Sequence, residues 1–481
     1  MKPWLILAGL ALAGCTVGPN YKPPRLPLAA AYHAPAGPLS GTAPWWMSFH
    51  DPVLNALEAR ALSANLGIEQ ALARVDEANA LFKAQRAAQG PQAALDGHAA
   101  RQEESVNAGL GEFTRLGSLA QANPALAPLA GALQQAAPNL ASRVNNDFQL
   151  GINTGWDLDF AGGLRRQAQA AGANADAAQA GVAAARLSVA AELADAYLRY
   201  RAAQIELGDY QKLDGIMREQ LGIMAARVKL GAASKSALDS ASARESELAA
   251  AIPDLVALRD TQRNRISVLV GLSPSYDMPE LATMAPIAQA DDFGAGMPAD
   301  LLRNRPDLVV AQDQLIAANA RIGAAMAEYY PDISLGALLG LDSTSVSNLF
   351  TSDSGILQGV VGLHWRLFDF GRVDAEVRSA RGQTREALAA YREAVLRASE
   401  DVESGFVHLQ SAQKRLRLLD KKYKAVADAQ AIAQRAVAAG ALSHDAALDA
   451  QRAQIGAEID LLNARLDNAR ATVAAHRALG H

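Results

Sequence analysis

The chain has 481 residues, a formal net charge of −5 and one cysteine; half of its residues are hydrophobic but only 5% are aromatic. Mild acidity with no basic run or aromatic–basic patch argues against a nucleic-acid partner, and a single cysteine excludes an intrachain disulfide. After the N-terminal segment no stretch of about 18 uninterrupted apolar residues occurs, so no transmembrane helix is expected and any membrane crossing falls to strands closed into a barrel.

The first residues read as a secretory signal: Lys2 precedes an apolar run from Leu5 to Ala13, and Gly14-Cys15 follows. Residues 1–14 are assigned to a lipoprotein signal peptide and Cys15 to lipidation, because Leu12-Ala13-Gly14-Cys15 resembles a bacterial lipobox. Thr16 rather than Asp behind the cysteine favours the outer membrane. The competing readings are an uncleaved anchor or a buried thiol. Residues 15–50 form a proline-rich, lipid-anchored extended leader, with Trp45, Trp46 and Phe49 as its docking side chains. Helices are expected over about 51–64 and 66–88.

The rest of the chain is a duplication. Shifted by 209 residues, Trp365 falls on Trp156, Phe406 on Tyr197, Gln413 on Gln204, Gly440 on Gly231 and Gly480 on Gly271. Leu193, Tyr200, Leu207, Leu221 and Val228 sit seven or fourteen apart, as do Val402, Leu409, Leu416, Tyr423 and Val437. A seven-residue apolar repeat lays one seam along a helix and favours packing against neighbours. The first repeat is 51–271, with strands near 93–103 and 148–158 and a long hairpin at 162–271. A linker covers 272–297. The second repeat is 298–481, with a helix at 306–328, strands near 331–341 and 358–368, and a hairpin at 371–480. Asn79 and Pro91 match Asn319 and Pro331 at a shift of 240, so the first repeat carries about 31 extra residues, in 109–143.

The strands approach the roughly 9–11 residues that cross a bilayer when tilted. Tyr329, Tyr330, Trp156, Trp365 and Phe368 lie at their ends, where an interfacial aromatic girdle belongs; sheet-to-helix core packing is the alternative. One chain offers four strands, too few to close a membrane barrel, and an open edge in lipid is forbidden. Three copies giving twelve strands is the simplest closure. The expected fold is therefore mainly α with a membrane β-barrel portion: a trimeric α-helical barrel plus a 12-stranded β-barrel.

Chemistry is sparse. The eight histidines are scattered without a His-Glu-x-x-His pair, and no phosphate-binding Gly-Lys-Ser/Thr loop or Gly-x-Ser-x-Gly elbow occurs. No cofactor, metal or enzymatic activity is expected. Past Gly440, Ser443 suits a helix N-cap, and Asp445 and Asp449 share a face at i, i+4. Three chains would bring these carboxylates to one axis as an acidic ring at a gate. The plainer alternative makes Asp445 a first-turn acid and Asp449 either part of a solvated face or an Arg452 partner.

In order and spacing, several segments together resemble the TolC-like outer-membrane efflux channels, in their NodT-type lipoprotein branch. They are Cys15-Thr16-Val17-Gly18-Pro19-Asn20-Tyr21, the 46–52 stretch, Asn304-Arg305-Pro306-Asp307-Leu308, Trp365-Arg366-Leu367-Phe368-Asp369-Phe370-Gly371-Arg372 and Leu448-Asp449-Ala450-Gln451-Arg452. The resemblance implies a homotrimeric, passive exit duct of a tripartite, RND-type efflux system, held by outer-membrane lipid. Its partners would be a periplasmic adaptor and an inner-membrane transporter, and its cargo drugs or other small toxic compounds. It implies that Asp449 and Arg452 line the periplasmic constriction, and that the turns with Gly231, Ser234, Gly440 and Ser443 meet the adaptor. The competing functional class is a non-pore coiled-coil lipoprotein bridging envelope layers; an envelope enzyme is disfavoured by the missing catalytic sets.

Overall fold

The computed structural model describes residues 16–26, 28–33, 44–103, 144–291 and 297–480. Cys15 and the 109–143 segment lie outside the described residues. In chain order come α1 (Pro52–Ala64), α2 (Leu66–Ala87), β1 (Gln92–Glu103), β2 (Val144–Asp157), α3 (Gly163–Lys229) and α4 (Lys235–Leu269). The second series is the single turn α5 (Leu301–Asn304), α6 (Pro306–Ala327), β3 (Asp332–Ser343), β4 (Gly355–His364), α7 (Arg372–Ala438) and α8 (His444–Leu479). α3 and α7 have 67 residues each, on the order of 100 Å of helix. Among the described residues no helix is long and apolar enough to cross a membrane.

The chain divides into two compact units, one of residues 1–20, 81–171 and 319–382, the other of 21–80, 172–318 and 383–481. Each takes matching pieces from both repeats.

The first unit holds a four-stranded antiparallel sheet in the order β1-β2-β3-β4. Its register sorts the side chains. Leu95, Ile152, Leu339 and Leu357 stand in one cross-strand row, all exposed. Four residues along each strand, on the same face, Trp156, Leu335 and Val361 form another row. The opposite face is mainly polar, because successive side chains alternate: it carries Asp96, His98, Gln149, Asn153, Asp342 and Gln358, with Leu338, Ile356 and Val360 among them. There Asn153 donates to Asp96 at 2.8 Å, and His98 meets Asp147 at 2.8 Å. Glycines line the polar face where strands crowd: a β-carbon on Gly340 would stand 2.6 Å from the Gly151 Cα. β4 stops at His364, short of the expected 368, because its last partner is Asp332 and the preceding Pro331 has no N–H to extend the ladder.

The leader is clamped in the same unit. Val17 N–H donates to the Ala161 carbonyl at 3.0 Å, and the Arg166 guanidinium donates to the carbonyls of Val17 and Gly18 and to Asn20 Oδ1. Asn319 donates to the Pro19 carbonyl. Gly18, at φ +91°, crosses Gly323 so closely that a β-carbon would collide with its backbone.

The second unit is helical. α1 is N-capped by Asp51, whose Oδ1 accepts from the backbone N–H groups of Val53 and Leu54. Its other oxygen accepts from the buried Tyr197 hydroxyl at 2.6 Å, which in turn accepts from Arg201 at 3.0 Å. Trp45, Phe49, Leu54 and Leu57 pack with Leu193, Tyr197 and Leu198 of α3 and Ile266 of α4. A second core joins Leu308 and Leu315 of α6 to Tyr391, Val402 and Phe406 of α7 and Ala475 of α8. Of the heptad seam, Leu193, Tyr200, Leu207, Val402 and Leu409 are buried, while Leu221, Val228, Leu416, Tyr423 and Val437, nearer the hairpin turns, are half-buried. α4 continues through Pro253, which leaves one carbonyl of its helical ladder without an N–H partner.

Candidate functional site

The hairpin turns repeat one geometry. Gly231 and Gly440 have φ of +72° and +74°. At each turn the residue after the glycine donates five residues back, Ala232 to Arg227 and Ala441 to Ala436, both at 2.8 Å. This is the left-handed helix ending that satisfies the last carbonyls and that glycine adopts without strain. The next helix then begins at a serine cap: Ser234 Oγ accepts from Ala237 N–H at 3.2 Å, and Ser443 Oγ from Ala446 N–H at 3.3 Å. Nothing crowds either glycine within 4 Å of an added β-carbon.

Just past the second turn, the start of α8 is laced to α3. His444 Nε2 meets Glu219 at 2.6 Å. Arg227 pairs with Asp445 at 3.1 Å. Gln220 donates to Asp449 at 2.9 Å, and Arg452 reaches the same carboxylate oxygen at 3.3 Å and Gln220 Oε1 at 3.4 Å. Ile216, Leu448 and Ile455 are buried as a cluster between the same two helices. The structure therefore brings Asp445, Asp449 and Arg452 together on one helix face, each with a partner. Glu219, Gln220 and Arg227 were not singled out by the sequence; they lie more than 200 residues away and carry no local motif. Arg244 bonds back to the Ser240 carbonyl at 3.2 Å. It borders a groove of about 670 Å³ with Tyr210, Met217, Glu247, Asp449 and Arg452.

At the sheet, the expected interfacial aromatics are all exposed. Trp156 donates its indole N–H to the Gln89 carbonyl at 2.9 Å, and Trp365 donates to the Tyr329 carbonyl at 3.1 Å. Gln89 and Tyr329 hold equivalent places after α2 and α6, so the two repeats share one bond from a strand-end tryptophan to a helix end. The Tyr329 hydroxyl lies 3.4 Å from Asp374, while Tyr330 is half-exposed and Phe368 almost fully exposed. Among the described residues no group of three or more histidine, cysteine, aspartate or glutamate side chains could hold a metal ion.

A sheet with one mainly apolar and one mainly polar face, joined in sequence to long duplicated helical hairpins, defines a channel-type outer-membrane protein. The Outer membrane efflux protein family model matches residues 57–272 and 297–481, and the chain belongs to that family. It is 27% identical to Nodulation protein T of Rhizobium leguminosarum bv. trifolii, over 92% of this chain and 89% of that protein. It is 29% identical to the toluene efflux pump outer membrane protein TtgI of Pseudomonas putida, over 99% of this chain and 97% of that one. The outer-membrane channel OprN superposes with a TM-score of 0.79 at 27% identity, covering 97% of this chain and 99% of that chain. The protein is an outer-membrane exit duct of efflux pumps.

Proposed function

We propose that three copies of this chain close their sheets edge to edge into a twelve-stranded barrel and form a passive duct, gated where α8 starts. The observation that carries this reading is the four-stranded sheet: its β1 and β4 edges have no further strand among the described residues, while an apolar row crosses all four strands. Unpaired backbone groups facing lipid each cost several kcal/mol, so pairing β4 of one copy with β1 of the next satisfies both edges at once.

Where α8 begins, Asp445, Asp449 and Arg452 form the gate with Glu219, Gln220 and Arg227. The exposed ion pairs are worth about 0–1 kcal/mol each, which suits a latch that must open. The turns at Gly231, Ser234, Gly440 and Ser443 meet a periplasmic adaptor, and that adaptor links the duct to an inner-membrane transporter. Energy comes from the transporter, and the cargo is drugs or other small toxic compounds. Cys15 carries the lipid anchor; the clamp on residues 17–20 supports this, since it fixes the chain directly after the cysteine. Trp156, Tyr329, Tyr330, Trp365 and Phe368 belong at the membrane interface. Native mass spectrometry of the detergent-extracted, full-length protein tests the assembly. Three acylated copies are expected; a monomer that nonetheless restores efflux to a strain lacking its own duct would reject the edge-to-edge closure.

A further inference from the structure

On α3, the side of the helix opposite the Leu193–Tyr197 core carries Glu192, Asp195 and Arg199 into a groove of about 1170 Å³. α8 adds Arg470 and Arg477, and α7 adds His408. Asp195 is the organising group. Its two oxygens each take one guanidinium Nε, Arg199 at 2.7 Å and Arg470 at 2.5 Å. One carboxylate thus spans two arginines and leaves the terminal nitrogens of both forks free of partners among the described residues. The three side chains are about one-third exposed. The neighbouring carboxylates are already engaged, Glu192 by Arg265 and Asp307 and Asp401 by Arg305. Arg477 bonds to nothing through its side chain among the described residues. The groove therefore keeps spare positive charge in a chain whose net charge is −5.

A planar guanidinium fork matches a carboxylate in two parallel hydrogen bonds, and two forks held by a shared acid are positioned before any ligand arrives. Ala184, Leu187 and Ala191 supply an apolar wall beside them. We propose that the Asp195-bridged Arg199–Arg470 pair is a binding site for small organic carboxylates. Arg199 and Arg470 hold the anion, Asp195 is their positioning residue, and the wall covers the apolar body of the ligand. A role for the site in passage rests on the duct reading; binding does not.

The test is fluorine NMR line broadening of para-fluorobenzoate by the full-length, detergent-solubilised protein, with para-fluorobenzyl alcohol as the neutral counterpart. Wild type is expected to broaden the acid and not the alcohol. The double variant Arg199→Gln/Arg470→Gln should bind about tenfold more weakly or worse, since charge-assisted pairs are lost. Asp195→Asn separates geometry from bulk charge. It makes the groove more positive yet releases both forks, so binding weakens if the clamp is real. Circular dichroism of each variant keeps misfolding from passing as a result. Equal broadening in the double variant, tighter or unchanged binding in Asp195→Asn, or equal binding of the alcohol would overturn the site. Conductance of the double variant, measured in parallel, shows whether the duct reading stands when the site does not.

Discussion

Glu58 is fully buried on α1, and neither carboxyl oxygen has a hydrogen-bond partner. Desolvation pushes its pKa up to about 9 from an ordinary 4.5. The folded chain thus holds a proton that the unfolded chain releases above about pH 4.5. The stability that protonated Glu58 contributes is complete below that pH and is lost as pH rises towards about 9. Thermal unfolding at about pH 5 and about pH 8 should show a lower midpoint at the higher pH. In Glu58→Gln, which cannot ionise, most of that difference should disappear; a wild type equally stable at both would contradict the buried proton. Nothing in the sequence marked this residue, since a glutamate in an amphipathic helix ordinarily faces water. Asp445 and Asp449 were different: their spacing alone put them on one face, but it could not say which helix that face would meet. Both the acid-ring and the Arg452-partner readings had a physical basis, and the 3.3 Å contact from Arg452 to Asp449 supports the second within one chain.

At the scale of elements, the seven-residue seam made the long helices legible, because Leu193, Tyr200 and Leu207 keep one period and pack as that period requires. The second strand pair was clearer than the first for a similar reason. β3 alternates Ile333, Leu335 and Ala337 with Ser334 and Gly336 before the Leu338-Leu339 pair, whereas β1 offers mostly alanine beside Leu95. Glycine is needed where strands crowd. Gly340→Val would drive a side chain into Gly151, so we expect little assembled protein in the outer membrane, read by heat-modifiable gel mobility of membrane fractions; wild-type amounts would contradict the close approach. At the tips, proline cannot adopt the positive φ of Gly231 or Gly440. Gly231→Pro and Gly440→Pro should leave the assembly intact, since both turns stand free of packing, yet lower dye efflux several-fold. Loss of the assembly in either variant would make the turns folding determinants instead.

For the whole molecule, the duplication explains why one chain has two equivalent hairpins, two strand pairs and two tryptophan bonds to helix ends. Repeated sequence with repeated spacing is enough to read this. The pairing of α3 with α8 was not, because it joins residues from different repeats. The sequence likewise held no local trace of the Asp195 bridge, which joins side chains 275 residues apart. The central claim is a duct held shut by the bonds between α3 and the start of α8, and planar-bilayer recording of the purified full-length protein addresses it most directly. Wild type should show discrete events of low conductance, and Asp445→Ala/Asp449→Ala should raise the conductance several-fold by releasing Arg227, Gln220 and Arg452. A three-copy assembly that conducts no current in either form, or a pore that the double variant leaves unchanged, would contradict it.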